Sequence, residues 1–503
     1  MANSQHTGTA GSALVSTELG RAAALWLAVC VIACRVLQAQ AFPIYDDAFI
    51  TFRYARNLAS GDGMVFNPGA PWEPVLGTTT PLYAALLALP AWLGFSIPLA
   101  SLALNVLFDG LSAYMLARLG ASRPLATSLG LLAFAALPAL GRISVGGMEA
   151  PLFAFLSIAA VHALRHERPA LAGICAGLAC TTRPEGVLLL AVLAAFELRT
   201  VARALRFLLP VALTGLVAVA ILAAYYGDPI PQSVQAKASN HGLGWEFSRA
   251  LEVLERGLWP SPEMWLGLPF VAVGIVLALR NASRAVLLFG LGMLAAYAAA
   301  GAKTWGWYFY VPLLAWCLAF GEGLAAAAGV LLRGRELALR ERVGRGFVAT
   351  FAMLALAGSA VLASVRRDHI TGSVYAAMDT WCREQDTLGK QPTILATDIG
   401  AIGWYSGTRI LDSEALVWPP ARAYERQVDA LRAELPDYAL VVVNRARMLP
   451  FREDPVAQRY EPVARFSTYG LTRDAVDLEP RLDLLFDGWT PDYIVYRRKP
   501  AGD

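Results

Sequence analysis

Adjacent carboxylates are the first residues in the chain whose types and spacing could do chemistry. Asp46 and Asp47 stand in IYDDAFITFRYARNLASGDGMVFNPG, directly after an apolar stretch. Ala48, Phe52, Ala55 and Ala59 follow at helical spacing, so the pair opens a helix able to lie with one face on a membrane. A carboxylate placed there can act as general base on a hydroxyl, or it can complement the positive end of its own helix, the role that suits Asp47 better. Gly61 and Gly63 are placed to end that helix. Glu149, in GRISVGGMEAPLF, is a third acid at the mouth of an apolar stretch, either a cap before Pro151 or a functional group. Arg183 and Glu185 are opposite charges in TTRPEG, at a Pro-Gly break, where they could simply pair with each other. Of only four lysines, Lys237 and Lys303 fall in the apolar part of the chain. A compact ammonium is a point-charge partner for phosphate; an ordinary interfacial lysine is the alternative.

The elements that hold these residues must be membrane helices. Of 503 residues, 56% are hydrophobic and 16% charged, against about 25% charged in soluble domains, and the mean hydropathy is +0.48. A soluble, disordered or nucleic-acid-wrapping protein is excluded; the net charge of +3 says little about partners. Residues 366–503 hold 18 of the 42 Lys/Arg and 21 of the 39 Asp/Glu, so the chain divides into two bodies. We expect a short cytoplasmic segment (1–20), a membrane domain (21–365) and a charged domain outside the membrane (366–503). Spans of about 20 apolar residues are expected near 21–38, 99–117, 124–141, 150–164, 170–182, 185–197, 207–226, 264–279, 285–301, 307–328 and 346–365. The first reads as an uncleaved anchor. PLYAALLALPAWL at 81–93 is read as a helix on the outer surface, with a twelfth span as the alternative. That choice puts most of the arginines of the membrane part on short cytoplasmic linkers. It leaves 39–98, 227–263 and the 366–503 domain outside, with the N-terminus inside. Asp46, Asp47, Glu149, Arg183, Lys237 and Lys303 then share the outer face, which suits a reaction on a lipid-phosphate substrate.

Other features carry less. Six cysteines show no CxxC spacing, so neither a disulfide framework nor a zinc site is implied. Asp109 falls near mid-span, where acids face a cavity or a partner, and Asn105, one turn earlier, is the expected partner. In the charged domain, 392–411 reads as strand, Gly-rich turn and strand, DYALVVVN and DYIVYRR as further strands, and 420–434 as helical. ATDIGAIGW has only two glycines, too few for a nucleotide-binding reading.

The order of YDDAFITFRYARNLASGDGMVFNPG, GTTTPLY, GGMEAPLF, TTRPEG, GDPIPQSVQAK and IGWYSGTRILD resembles that of the GT-C superfamily, the multi-pass glycosyltransferases that use polyprenyl-phosphate sugars. Protein O-mannosyltransferases and lipid A aminoarabinose transferases belong to it. The run from the paired aspartates through VFNPG looks most like the bacterial arabinofuranosyltransferases. Gln232-Ser233-Val234-Gln235 departs from that subfamily, and the tail is too short for a full carbohydrate-binding module. The resemblance implies a helical polytopic membrane protein of about 11 spans with surface helices in the first outer loop, plus a small C-terminal α/β domain. It implies a bacterial cytoplasmic membrane and transfer of a sugar from a polyprenyl-phosphate donor to a glycan, lipid or protein acceptor. It places Asp46 at the acid/base position with Asp47 beside it, Glu149 near the sugar, and Arg183 and Lys237 toward the donor phosphate; Lys303 joins them on charge. Direct displacement predicts inversion. No cofactor is expected, although Asp46 and Glu149 could hold magnesium or manganese. A lipid-linked-sugar transporter is the rival reading, and the missing WWDYG motif argues against an oligosaccharyltransferase.

Overall fold

The computed structural model describes residues 19–196, 198–232, 235, 247–258, 262–281, 283–301, 304–371, 374–385, 392–442, 454–467, 470–472 and 493–500. Ten helices open the chain: α1 (Arg21–Gln38), α2 (Asp46–Ser60), α3 (Pro81–Trp92), α4 (Ile97–Leu119), α5 (Pro124–Ala136), α6 (Pro138–Val145), α7 (Ala150–Arg165), α8 (Pro169–Thr182), α9 (Gly186–Phe196) and α10 (Val201–Tyr226). Helices Phe247–Leu258, Leu268–Ala278, Arg284–Ala300, Tyr310–Leu331 and Leu337–Thr371 complete the bundle. Pro81, Pro124, Pro138 and Pro169 each open a helix, where a missing N–H forfeits no hydrogen bond.

Among the described residues each of the eleven stretches expected to span is mainly helical, but they differ in reach. Among the described residues five helices are long and apolar enough to cross a membrane: Arg21–Gln38, Ile97–Leu119, Val201–Tyr226, Gly306–Leu331 and Leu337–Val365. The expected span 124–141 is not one rod. α5 and α6 meet at an angle of 62°, because Pro138 cannot donate to the preceding turn and holds Leu137 in an extended conformation. α8 and α9 have 14 and 11 residues, about 21 and 17 Å at 1.5 Å per residue, short of the roughly 30 Å hydrocarbon core. α3 has 12 residues, likewise too few to cross, and packs against α2 and α4. Close approaches knit the bundle: a Cβ on Gly274 would lie 1.7 Å from the Ala319 carbonyl oxygen, and one on Gly323 1.9 Å from that of Phe270. Such small-residue contacts are how helices gain packing where lipid removes the hydrophobic drive.

Among its described residues the charged domain holds a mixed six-stranded sheet. Its strands are β1 (Thr393–Ala396), β2 (Arg409–Asp412), β3 (Tyr438–Val442), β4 (Tyr460–Ser467), β5 (Gly470–Thr472) and β6 (Tyr493–Arg498), in the order β2-β1-β3-β6-β4-β5. β1 runs parallel to β2 and β3, while β6, β4 and β5 add on antiparallel. Alternate residues face two cores. Ile394, Leu440 and Val495 join Trp381 in the core continuous with the membrane bundle. Leu395, Val441 and Ile494 join Trp418 in a second core on the other side. The stretch between β1 and β2, read from sequence as a turn, is a short helix, Gly400–Ser406. β4 and β5 were not foreseen.

Candidate active site

The segment that opens with α2 and the charged domain are locked together at Asp46. Neither aspartate caps its own helix: Tyr45 is the N-cap of α2, and both acids sit in its first turn. The Asp46 carboxylate instead caps the Gly400–Ser406 helix, accepting from the backbone N–H of Gly400 at 2.9 Å and of Ala401 at 2.8 Å. A Cβ on Gly400 would fall 1.8 Å from the Asp46 carbonyl oxygen, so only glycine permits this approach. Arg53, one helical face further along, donates to the carbonyls of Gly403 and Thr408, both at 2.6 Å. Arg56 donates to the Trp404 carbonyl at 2.9 Å and lies over its ring. Asn67 exchanges two hydrogen bonds with Ile410, 3.0 and 2.9 Å. The motifs YDDAFITFRYARN…VFNPG and IGWYSGTRILD are therefore the two halves of one interface. Withdrawal from water, then the Asp398 charge and the neighbouring Asp47, push the Asp46 carboxyl up to about 7.

A second cluster lies where α7, α8 and the Gly306–Leu331 segment meet. Arg183, the C-cap of α8, is 6% exposed and Glu149, the N-cap of α7, 3% exposed. Their ion pair is 2.8 Å long. Arg183 also grips Glu185 in a fork, Nη2 to Oε1 at 2.9 Å and Nε to Oε2 at 3.3 Å, and the Tyr297 hydroxyl donates to Glu185 at 2.6 Å. The expected Arg183–Glu185 pair thus forms, and Glu149 completes a triad. The guanidinium stacks over Tyr308 at 4.6 Å. Two carboxylates face one guanidinium, so this triad carries no surplus positive charge.

Aromatic rings connect the two clusters. Tyr45, next to Asp46, packs against Trp307 at 5.2 Å between centroids, and Trp307 lies beside Tyr308. The Tyr45 N–H donates to the Gly146 carbonyl, which ties the start of α2 to the turn carrying Glu149. TWGWYFY at 304–310 supplies these rings; its density of aromatics was the sequence signal for them. Lys303 directly before it, and Lys237, lie outside the described residues. Among the described residues no three of His, Cys, Asp and Glu group as metal ligands, and Glu149 faces Arg183 rather than Asp46.

Asp109 is a correction. Its partner is Arg35, at 2.6 Å, and both side chains are buried. The hydroxyls of Ser144, at 2.8 Å, and of Tyr310 also donate to it. Asn105 points elsewhere, to the backbone of Ser144 and Met148. The pairing was illegible in sequence because Arg35 and Asp109 are 74 residues apart.

A family described as a domain of unknown function (DUF8728) matches residues 363–488. No curated protein matches the chain by sequence. Solved structures do match it in fold. ArnT from Cupriavidus metallidurans, bound to undecaprenyl phosphate, aligns with a TM-score of 0.60 at 11% identity over 94% of this chain and 97% of ArnT. The apo state of the same protein gives 0.58 at 11% identity, with the same coverage. The oligosaccharyltransferase of Archaeoglobus fulgidus, in complex with Zn and sulfate, gives 0.51 at 14% identity over 90% of this chain and 73% of that one. What is common at these identities is architecture: the chain has a mostly helical, polytopic membrane fold like that of ArnT, with a small C-terminal mixed-sheet domain.

Proposed function

We propose that the chain is a membrane glycosyltransferase that moves a hexosyl or pentosyl group from a polyprenyl-phosphate donor to an acceptor hydroxyl outside the membrane. The observation that carries this is the fold shared end to end with ArnT, a protein seen bound to undecaprenyl phosphate. The buried acids and cations of the two clusters supply the chemistry. Asp46 takes the acceptor proton as the hydroxyl attacks the anomeric carbon, with inversion, and a carboxyl held near 7 suits that exchange. Each Asp46 oxygen accepts one backbone N–H, leaving lone pairs for the incoming proton. Asp47 supports the charge beside it and Glu149 orients the sugar. Arg183, with Lys237 and Lys303, meets the phosphate as negative charge develops on the leaving group. Because Glu149 and Glu185 neutralise Arg183, the lysines supply the excess positive charge.

The proposal stands at the level of the superfamily; the matching structures give no ground for placing the chain among the arabinofuranosyltransferases. The transporter reading keeps the many spans but loses Asp109 as an argument, since Asp109 is paired with Arg35. The test is transfer of labelled sugar by the purified chain together with mass spectrometry of surface glycans in a deletion strain. Asp46→Asn should lower transfer by about 10²–10⁴-fold while undecaprenyl phosphate still binds, and Asp47→Asn should cost less. Near-normal turnover in Asp46→Asn would remove it as the base, and movement of labelled lipid with no glycosyl product would reinstate the transporter. Loss of activity with chelator, restored by magnesium, would show that a metal is required.

A further inference from the structure

One face of α4 is a polar ladder aimed at the backbone that carries Glu149. Ser101, Asn105 and Asp109 are spaced by four residues and therefore lie one above another on that face. All three are buried. Ser101 Oγ lies 3.3 Å from the Gly147 carbonyl oxygen. The Asn105 amide donates to the carbonyls of Ser144 at 3.0 Å and Met148 at 2.9 Å. Asp109 accepts the Ser144 hydroxyl. Tyr83, fully buried on the short helix α3, braces the ladder from behind, donating to Asn105 Oδ1 at 3.0 Å and lying 2.8 Å from Ser101 Oγ.

Each of the three ladder residues has a tie to residues 144–148, the end of α6 and the turn that immediately precedes Glu149, and Asp109 also pairs with Arg35. At the centre of this turn Gly146 and Gly147 contribute no side chains, and Gly147 sits at φ +85°, while Met148 packs into the core. Its position is set from outside. On the far side, Glu149 holds Arg183 at 2.8 Å.

We infer that Asn105, braced by Tyr83, is a positioning residue that acts through Glu149 to set the Arg183 guanidinium where the lipid phosphate meets it. The inference rests on the proposed reading of Arg183 as a phosphate contact. It also gives the GTTTPLY motif a task, because Tyr83 is its last residue.

The test is equilibrium binding of undecaprenyl phosphate to the full chain in detergent, with folding checked for each variant by gel filtration and thermal unfolding. Asn105→Ala removes three buried hydrogen bonds, two of them to the backbone before Glu149, and should raise Kd about 10-fold. Tyr83→Phe keeps the ring in the core and should shift Kd the same way, by less, so the idea stays testable if Asn105→Ala folds poorly. In a Glu149→Gln background, Asn105→Ala should add nothing further, since its route to the phosphate is already cut. A merely structural role would lower thermal stability and give additive or no effects on Kd, which would overturn the inference. Arg183→Ala separates the two levels. If it weakens binding while the Asn105 and Glu149 effects simply add, only the positioning role falls. If it binds like wild type, the phosphate reading fails and the inference goes with it.

Discussion

At the residue scale the central group is Asp46, whose proposed task as base pulls against its contribution to stability. Its carboxyl, raised from 3.8 to about 7 chiefly by burial and then by Asp398, binds a proton in the folded protein at pH values where the unfolded chain has released it. The folded state thus holds more protons than the unfolded state, and stability must fall as pH rises through this range. The stabilising contribution is complete below about 4 and gone above about 7. Activity should do the reverse, because a base works only when ionised. We expect kcat/KM to rise with pH along a limb centred near 7, a limb that Asp46→Asn removes together with the rate. A pH–rate profile unchanged in shape by that substitution would assign the limb to another group. Arg183→Lys tests the second cluster. A single ammonium cannot reproduce the fork to Glu185 while also pairing with Glu149, so we expect at least a 10-fold weaker hold on undecaprenyl phosphate, by roughly the 1.4 kcal/mol of one charge-assisted hydrogen bond.

At the element scale the decisive contact is between α2 and the short helix Gly400–Ser406. Arg53 carries much of it, since Nη1 and Nη2 of its guanidinium satisfy the carbonyls of Gly403 and Thr408 within a buried surface. Arg53→Ala leaves both carbonyls without that donor, at a cost of about 2 kcal/mol or more. Hydrogen exchange of the Gly400–Ile410 amides should accelerate by about 30-fold, while exchange in α4 and α7 stays as it was. Gly400→Ala should act similarly through a different cause, the collision of its Cβ with the Asp46 backbone. Unchanged exchange in both variants would mean that Asn67 and the apolar contacts suffice. At this scale the sequence was partly legible. The helical spacing behind the aspartates and the closing glycine at Gly61 were right, and α2 ends with Gly61 at φ +88°. The destination of the carboxylate was not legible, because a cap formed across 354 residues leaves no local pattern.

At the scale of the whole molecule, the uneven charge that divides the chain near residue 366 becomes two bodies sharing one core. The membrane bundle and the near face of the sheet bury their apolar residues together, so the charged domain is built directly onto the segment that carries Asp46 and Asn67. Its side of the membrane is testable. The six cysteines are buried or half-buried, which leaves a quiet background for labelling. Glu425→Cys, at an exposed site in the sheet domain, should react with a membrane-impermeant maleimide in intact cells. Arg335→Cys, exposed between helices Tyr310–Leu331 and Leu337–Thr371, should react only after permeabilisation. The opposite pattern would invert the assigned orientation.

Composition and periodicity alone determined that this chain is a polytopic membrane protein with a charged α/β appendage, since hydrophobic content and helical spacing are properties of contiguous residues. The order of the motifs resembled that of the GT-C superfamily. Only the tertiary structure decided which polar groups meet. It gave Asp109 to Arg35, Glu149 to Arg183, and Asp46 to a helix in the last quarter of the chain. It also broke the span at Pro138 and turned a glycine-rich turn into a helix. The reason is physical. A buried charge must find its counter-charge or donors wherever the fold brings them, and that choice rests on packing between distant segments rather than on any local run of residues.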